Sequence, residues 1–222
     1  MRGTEATMID AYVHSLDRAL RGPGRVKRDL LTEARHSLLD SAEGYRADGL
    51  SPTDAEQQAV TEFGSVPTLA AAYQAELSAN ALRTLSLRIF LVWILLASTA
   101  DLMWQGAPWS GSAPTAGYLL LSEALNWAWG VSGLASIISV LWLTWQARRA
   151  RSAPERLVRV LGRVLTGALV VNCLCAIAVY GWSLGQWRVA ITWPPMLIGG
   201  AVMFAAYAWL ATAARSCLVT TR

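Results

Sequence analysis

Four apolar stretches in the second half of this chain limit its folds more than any other feature. They run over residues 87–104, 118–145, 164–184 and 194–214. Each is close to the roughly 20 residues that an α-helix needs to cross about 30 Å of hydrocarbon. The second is long enough to cross with tilt. The first 80 residues hold no such run, and no apolar core of a secretory signal peptide can be placed in them. The N-terminal segment is therefore expected to stay in the cytosol.

Charge and aromatic content divide at the same place. Residues 1–80 carry 8 Lys+Arg and 12 Asp+Glu and no Trp; residues 81–222 carry 11 Arg, 3 acids and all 11 Trp. A pI near 9.2 would suggest nucleic-acid binding if the basic excess lay on a soluble domain. Here it lies between apolar stretches, where it has another use. The segment 105–116 has no Lys or Arg, and the segment 185–193 has only Arg188. The segment 146–162, by contrast, holds Arg148, Arg149, Arg151, Arg156 and Arg159, with Arg163 just beyond. Arg83 and Arg88 flank the first stretch, and Arg215 and Arg222 follow the last. The positive-inside rule then predicts a multi-pass protein of the cell (plasma) membrane, with both termini and the Arg-rich loop in the cytoplasm. Trp104, Trp109, Trp142, Trp145, Trp182, Trp187 and Trp193 near the stretch ends suit interfacial belts.

The N-terminal segment reads as short amphipathic helices. Ile9, Tyr12, Val13, Leu16 and Leu20 form a stripe over residues 7–21, ended by Gly22-Pro23-Gly24. Val26, Leu30, Leu31, Ala34, Leu38, Ala42 and Tyr45 form a second over residues 25–47, with Gly49 suited to a left-handed cap. Ser51 is a natural N-cap, Pro52 fits the first helical position, and Asp54 and Glu56 favour the positive end of the helix dipole. Ala55, Ala59, Val60 and Phe63 line the inner face of this third helix, which Gly64 ends. A fourth carries Leu69, Ala72, Tyr73 and Leu77 and runs towards Leu82. The expectation is an all-α protein: a small cytosolic helical domain over residues 1–82, then a four-helix transmembrane bundle over residues 83–222.

Candidate chemistry is sparse. Asp101 and Glu123 are the only acids in or near the spans. Both lie near outer span ends, where facing water is the plain explanation. The sharper reading is a shared outward-facing acidic site for a cation, because charge at membrane depth is costly and marks function. Asn126 and Asn172 would join it from the bundle interior. Cys173 and Cys175 have no His or further Cys at ligand spacing and read as packing residues, so no metal is expected. An odd count of three cysteines, all in apolar segments, argues against a disulfide framework. The Arg-rich loop suits anionic lipid headgroups as well as orientation. His14 and His36 are single histidines on amphipathic helices. Gly130, Gly133 and Ser136, and Gly199, Gly200 and Ala201, permit close helix contact within the bundle or in a homo-oligomer. The chain has no phosphate-binding loop, dinucleotide fingerprint, zinc-protease motif or nucleophile elbow. No enzyme activity and no cofactor are expected.

One pattern in the N-terminal segment is familiar. Ile9-Asp10-Ala11-Tyr12-Val13 with Leu16 opens it, followed by Leu30, Glu33, His36, Leu39 and Asp40. Gly49-Leu50-Ser51-Pro52, Ala55-Glu56, Phe63-Gly64 and Leu69-Ala70 complete it. Residues 7–77 thus resemble the HAAS-type signalling domain, called the permease prefix domain when attached to transporters. The resemblance implies a bacterial multi-pass membrane protein in signalling or regulation, with a PadR-like transcription regulator or an ABC-type permease as partner. It brings no catalytic residue. The function expected is non-enzymatic signalling at the bilayer, the helical domain binding a soluble regulator and no nucleic acid directly. The alternative is a membrane subunit or accessory of an ABC-type exporter.

Overall fold

The structure, a computed structural model, describes residues 7–22, 24–99, 113–149 and 154–221. Among these residues there are helices and no strand. The α-helices are α1 (Met8–Ala19), α2 (Gly24–Ala47), α3 (Pro52–Phe63), α4 (Val66–Thr99), α5 (Ala116–Arg148), α6 (Glu155–Gln186) and α7 (Pro194–Thr220), with a 3-10 turn, Arg188–Thr192, before α7. The chain forms two compact units, Met1–Asn80 and Ala81–Thr221, and the boundary falls within α4.

In the first unit, side chains that can accept a backbone N–H start two of the helices. Thr7 Oγ1 accepts from Asp10 N at 3.2 Å, and Ser51 Oγ accepts from Asp54 N at the same distance. Ser51 also donates to the Asp54 carboxylate at 2.6 Å, which fixes the cap. Pro52 occupies the first turn, where its missing N–H costs no hydrogen bond. Gly49 and Gly64 end α2 and α3 with φ of 99° and 106°, values that a side chain resists.

The apolar stripes meet in two clusters. Ile9, Tyr12, Leu38, Ala42 and Ala59 form one, and Leu16, Leu20, Leu31, Ala34, Ala70 and Leu77 form the other. Polar ties fix the register. Tyr12 donates to the Gly64 carbonyl at 2.9 Å while its ring meets Phe63 edge-on. Gln74 and Arg21 exchange two hydrogen bonds at 2.8 and 2.9 Å. Glu56 accepts from the Met8 amide at the start of α1 and pairs with Arg46 at 3.2 Å.

The fourth helix does run on past Leu82: it and the first apolar stretch are one continuous helix, α4, because no Gly or Pro interrupts residues 68–99. One expectation needs correction here. Within α4 Ala72 is exposed and Ala70 is buried. The inner stripe runs Val66, Ala70, Tyr73, Leu77, a spacing of three and four that leaves Ala72 outside.

The second unit is a ring of four helices joined by short-range contacts. A Cβ at Gly133 of α5 would lie 2.8 Å from the Trp93 ring of α4. Between α5 and α6, Tyr118 meets Ser183 at 3.0 Å and Asn172 donates to Ser132 at 3.1 Å. From α6 to α7, Tyr180 donates to the Met196 carbonyl at 3.1 Å, and Gly162 lies against Cys217. Arg88 closes the ring from α4 to α7, donating to the Trp209 carbonyl at 3.0 Å and to Thr212 at 2.6 Å with its guanidinium over the Trp209 ring. Successive pairs match low numbers with high ones, so neighbouring helices are antiparallel.

The exterior of this unit is unlike that of a water-soluble bundle. Its outside is apolar: Phe204 is 77% and Leu120 73% exposed. Its inside is apolar as well, with Leu85, Ile89, Val158, Leu165 and Leu210 buried, and it also holds the polar residues Ser132, Ser136, Ser139, Asn172 and Ser183. Each of these serines donates to a carbonyl of its own helix at 2.7 to 2.9 Å, which removes the cost of burying the hydroxyl. Helices α4 to α7 are long and apolar enough to cross a membrane. An apolar exterior this extensive is costly in water and favourable in lipid. The fold is compatible with a multi-pass membrane protein.

Candidate functional site

The residues singled out for chemistry are dispersed by the fold. Asp101 lies outside the described residues. Glu123, in the first turns of α5, is exposed. Asn172 is buried in the middle of α6, with both amide hydrogens committed: one to Ser132, the other to the Ala168 carbonyl at 2.9 Å. Its carbonyl oxygen is buried without a partner. Asn126 stands one helical turn beyond Glu123 and lines a cavity that Glu123 does not.

That cavity, within the second unit, has a volume of about 690 Å³. All four long helices contribute to it. Trp93, Leu96 and Thr99 come from α4, Ser122, Asn126 and Trp129 from α5, Ala176 from α6, and Ile198, Val202 and Tyr207 from α7. Three aromatic side chains, Trp93, Trp129 and Tyr207, form part of its mostly aliphatic wall. Trp93 packs on Gly133 and stacks with Phe90 at 6.3 Å, and Trp129 meets Tyr207 at 5.8 Å. Among the described residues no lining residue is Asp, Glu, Lys, Arg or His. Sequence reading found Asn126 but not the cavity, because Trp93, Trp129 and Tyr207 look like any other aromatic residues of a span.

The cysteines are free thiols; Cys173 and Cys175 are half-buried and Cys217 is buried against Gly162. Among the described residues no three His, Cys, Asp or Glu side chains come together as a metal would require. Of the belt tryptophans, Trp145 is exposed with Arg149 stacked 4.2 Å from its ring. Trp187 corrects the belt reading. It is buried against Tyr118, Ala190 and Met196, since the 3-10 turn folds it back onto the helix ends. Trp104, Trp109 and Arg151 lie outside the described residues.

The first unit presents a different kind of surface. Of the α2 residues in the pattern, Glu33, His36, Leu39 and Asp40 are exposed, whereas Leu30 packs against the core that Leu31, Ala34 and Leu38 of the same helix enter. Arg35 beside them pairs with Asp10 at 2.9 Å. Slight burial acts to raise the Asp10 pKa, but hydrogen bonds from Thr7 and Arg35 and the Arg35 charge outweigh it and hold the carboxyl below its ordinary value. Across the unit, a hydrogen bond from Tyr45 holds the Glu62 carboxyl low and the Tyr45 phenol high.

No protein-family model matches this chain, and neither a curated protein nor a solved structure matches it.

Proposed function

We propose that this chain is a non-enzymatic bacterial signalling protein of the cell membrane, whose N-terminal unit binds a soluble, PadR-like transcription regulator in the cytoplasm. The observation that carries the reading is the outer face of α2. Four of its five pattern residues, Glu33, His36, Leu39 and Asp40, are exposed and serve no core, while Leu30 packs inward; the shared occurrence of the four with the HAAS-type pattern points to contact with another molecule. Orientation follows from charge. The loop between α5 and α6 is rich in Arg, and both termini carry basic residues, which favours the cytoplasm for all three. The four long helices would then respond to a membrane or envelope condition and pass it to the first unit through α4.

The test uses purified full-length protein in lipid nanodiscs and the PadR-like regulator encoded nearest to its gene. Binding is expected for the intact chain, and its loss on Leu39→Glu, an exposed position whose change leaves the core intact. The same regulator binding equally to a chain lacking residues 1–80 overturns the reading. Stable co-purification with an ATP-binding subunit in place of a regulator supports the exporter-accessory alternative.

A further inference from the structure

The cavity between α4, α5, α6 and α7 has no assigned occupant, and its lining defines what would fit. We infer that it binds a neutral, largely apolar molecule that carries one hydrogen-bonding group, recognised by the side-chain amide of Asn126. The volume of about 690 Å³ lies within the range of small-molecule sites. Among the described residues the lining carries no Asp, Glu, Lys, Arg or His, so none of them would neutralise a charged ligand in a medium of low dielectric. That leaves hydrogen bonding as the means of orienting a ligand.

The two hydroxyls at the α4 and α5 side of the lining are already committed. Thr99 donates to the Leu95 carbonyl at 2.8 Å, and Ser122 donates to the Leu119 carbonyl at 2.9 Å. The Tyr207 hydroxyl is buried and has no hydrogen-bond partner, but it is closed off from contact with a ligand. Asn126 is unpaired and accessible. It is exposed, and among the described residues no group hydrogen-bonds its amide, although it stands ten residues into α5, about 15 Å along the helix axis. An amide at that depth facing an apolar cavity is unfavourable until something pairs with it. A hydroxyl, ester or amide on an otherwise apolar molecule supplies the partner, and Trp93 and Trp129 supply the surface against which its apolar part packs. The inference goes beyond the signalling reading, because occupancy is measured without any regulator.

The probe is 3-azioctanol, a neutral alcohol that inserts covalently on illumination, applied to the full-length protein in nanodiscs. Adducts are expected on cavity residues such as Trp93, Trp129 and Met203, with 1-decanol protecting them. Asn126→Leu should raise the decanol concentration for half-protection about fivefold, the effect of one neutral hydrogen bond. Protection by n-decane, which forms no hydrogen bond, should not change. Three results overturn the inference: adducts spread over the outward-facing Trp127 and Phe204 with no protection by decanol; decanol protection unaltered by Asn126→Leu; or decyltrimethylammonium protecting better than decanol, which would make the ligand a cation.

Discussion

Single side chains in the first unit hold helices that are too short to persist alone. Tyr12 is one, since its hydroxyl satisfies the carbonyl of Gly64 at the left-handed end of α3. Tyr12→Phe keeps the ring contact with Phe63 and removes that bond, at an expected cost of about 1 kcal/mol. Amide hydrogen exchange in α1 and α3 should then quicken about fivefold, while exchange in α5 and α6 stays unchanged. Asp10 adds a pH dependence. Its folded-state pKa is the lower one, so its contribution is fully present at neutral pH and is lost as pH falls through the folded value. Asp10→Asn should flatten the acid titration of the Tyr12 and Leu16 amide NMR signals. An unchanged titration would show that the Arg35 pair contributes nothing in solution.

Packing between long helices depends on where small residues fall around each axis, and α5 offers an internal comparison. Gly133 and Gly130 are one turn apart. A Cβ at Gly133 would enter the Trp93 ring at 2.8 Å, whereas a Cβ at Gly130 meets nothing within 4 Å. Gly133→Ala should destabilise the bundle by about 1–3 kcal/mol through overpacking. Gly130→Ala should be neutral or slightly stabilising, because it gains helix propensity at no steric cost. Thermal unfolding of both variants in one detergent, followed by Trp fluorescence, separates the two. Asn172→Leu tests the polar interior in the same assay. It removes the bond to Ser132 and also an orphaned carbonyl oxygen, so its net effect should stay below about 1.5 kcal/mol.

Taken whole, the molecule joins a water-compatible helical unit to one whose exterior is apolar and whose largely apolar interior holds a few satisfied serines and Asn172. The arrangement of basic residues predicts its orientation in a bilayer. With Cys173, Cys175 and Cys217 replaced by Ala, a single cysteine introduced at Ala113, an exposed position just before α5, should react with a membrane-impermeant maleimide added to intact cells. One introduced at Ser152 should react only after lysis. The opposite pattern would reverse the assignment of both faces.

Periodicity and punctuation made most elements readable before any coordinates. Ser51-Pro52, Gly49 and Gly64 mark helix ends by local chemistry, and the stripe from Ile9 to Leu20 needs no tertiary information to be seen. The long apolar runs are equally local, since length against bilayer thickness decides them. Reading failed where a neighbour makes the difference. Ala70 and Ala72 are the same residue type two positions apart, and only the packing of α4 on its own unit buries one and exposes the other. Gly130 and Gly133 are likewise the same in sequence until Trp93 lies against one of them. Trp187 suits an interfacial belt until the turn before α7 folds it inward. Asn126 and Asn172 look alike as polar residues in apolar helices. Asn172 is spent on Ser132 within the bundle, and Asn126 is left open on a cavity. Local propensities and solvent polarity act along the chain, so the elements and their surroundings follow from residue order. Which side chain is satisfied, and which is left facing empty space, depends on residues brought together from distant helices.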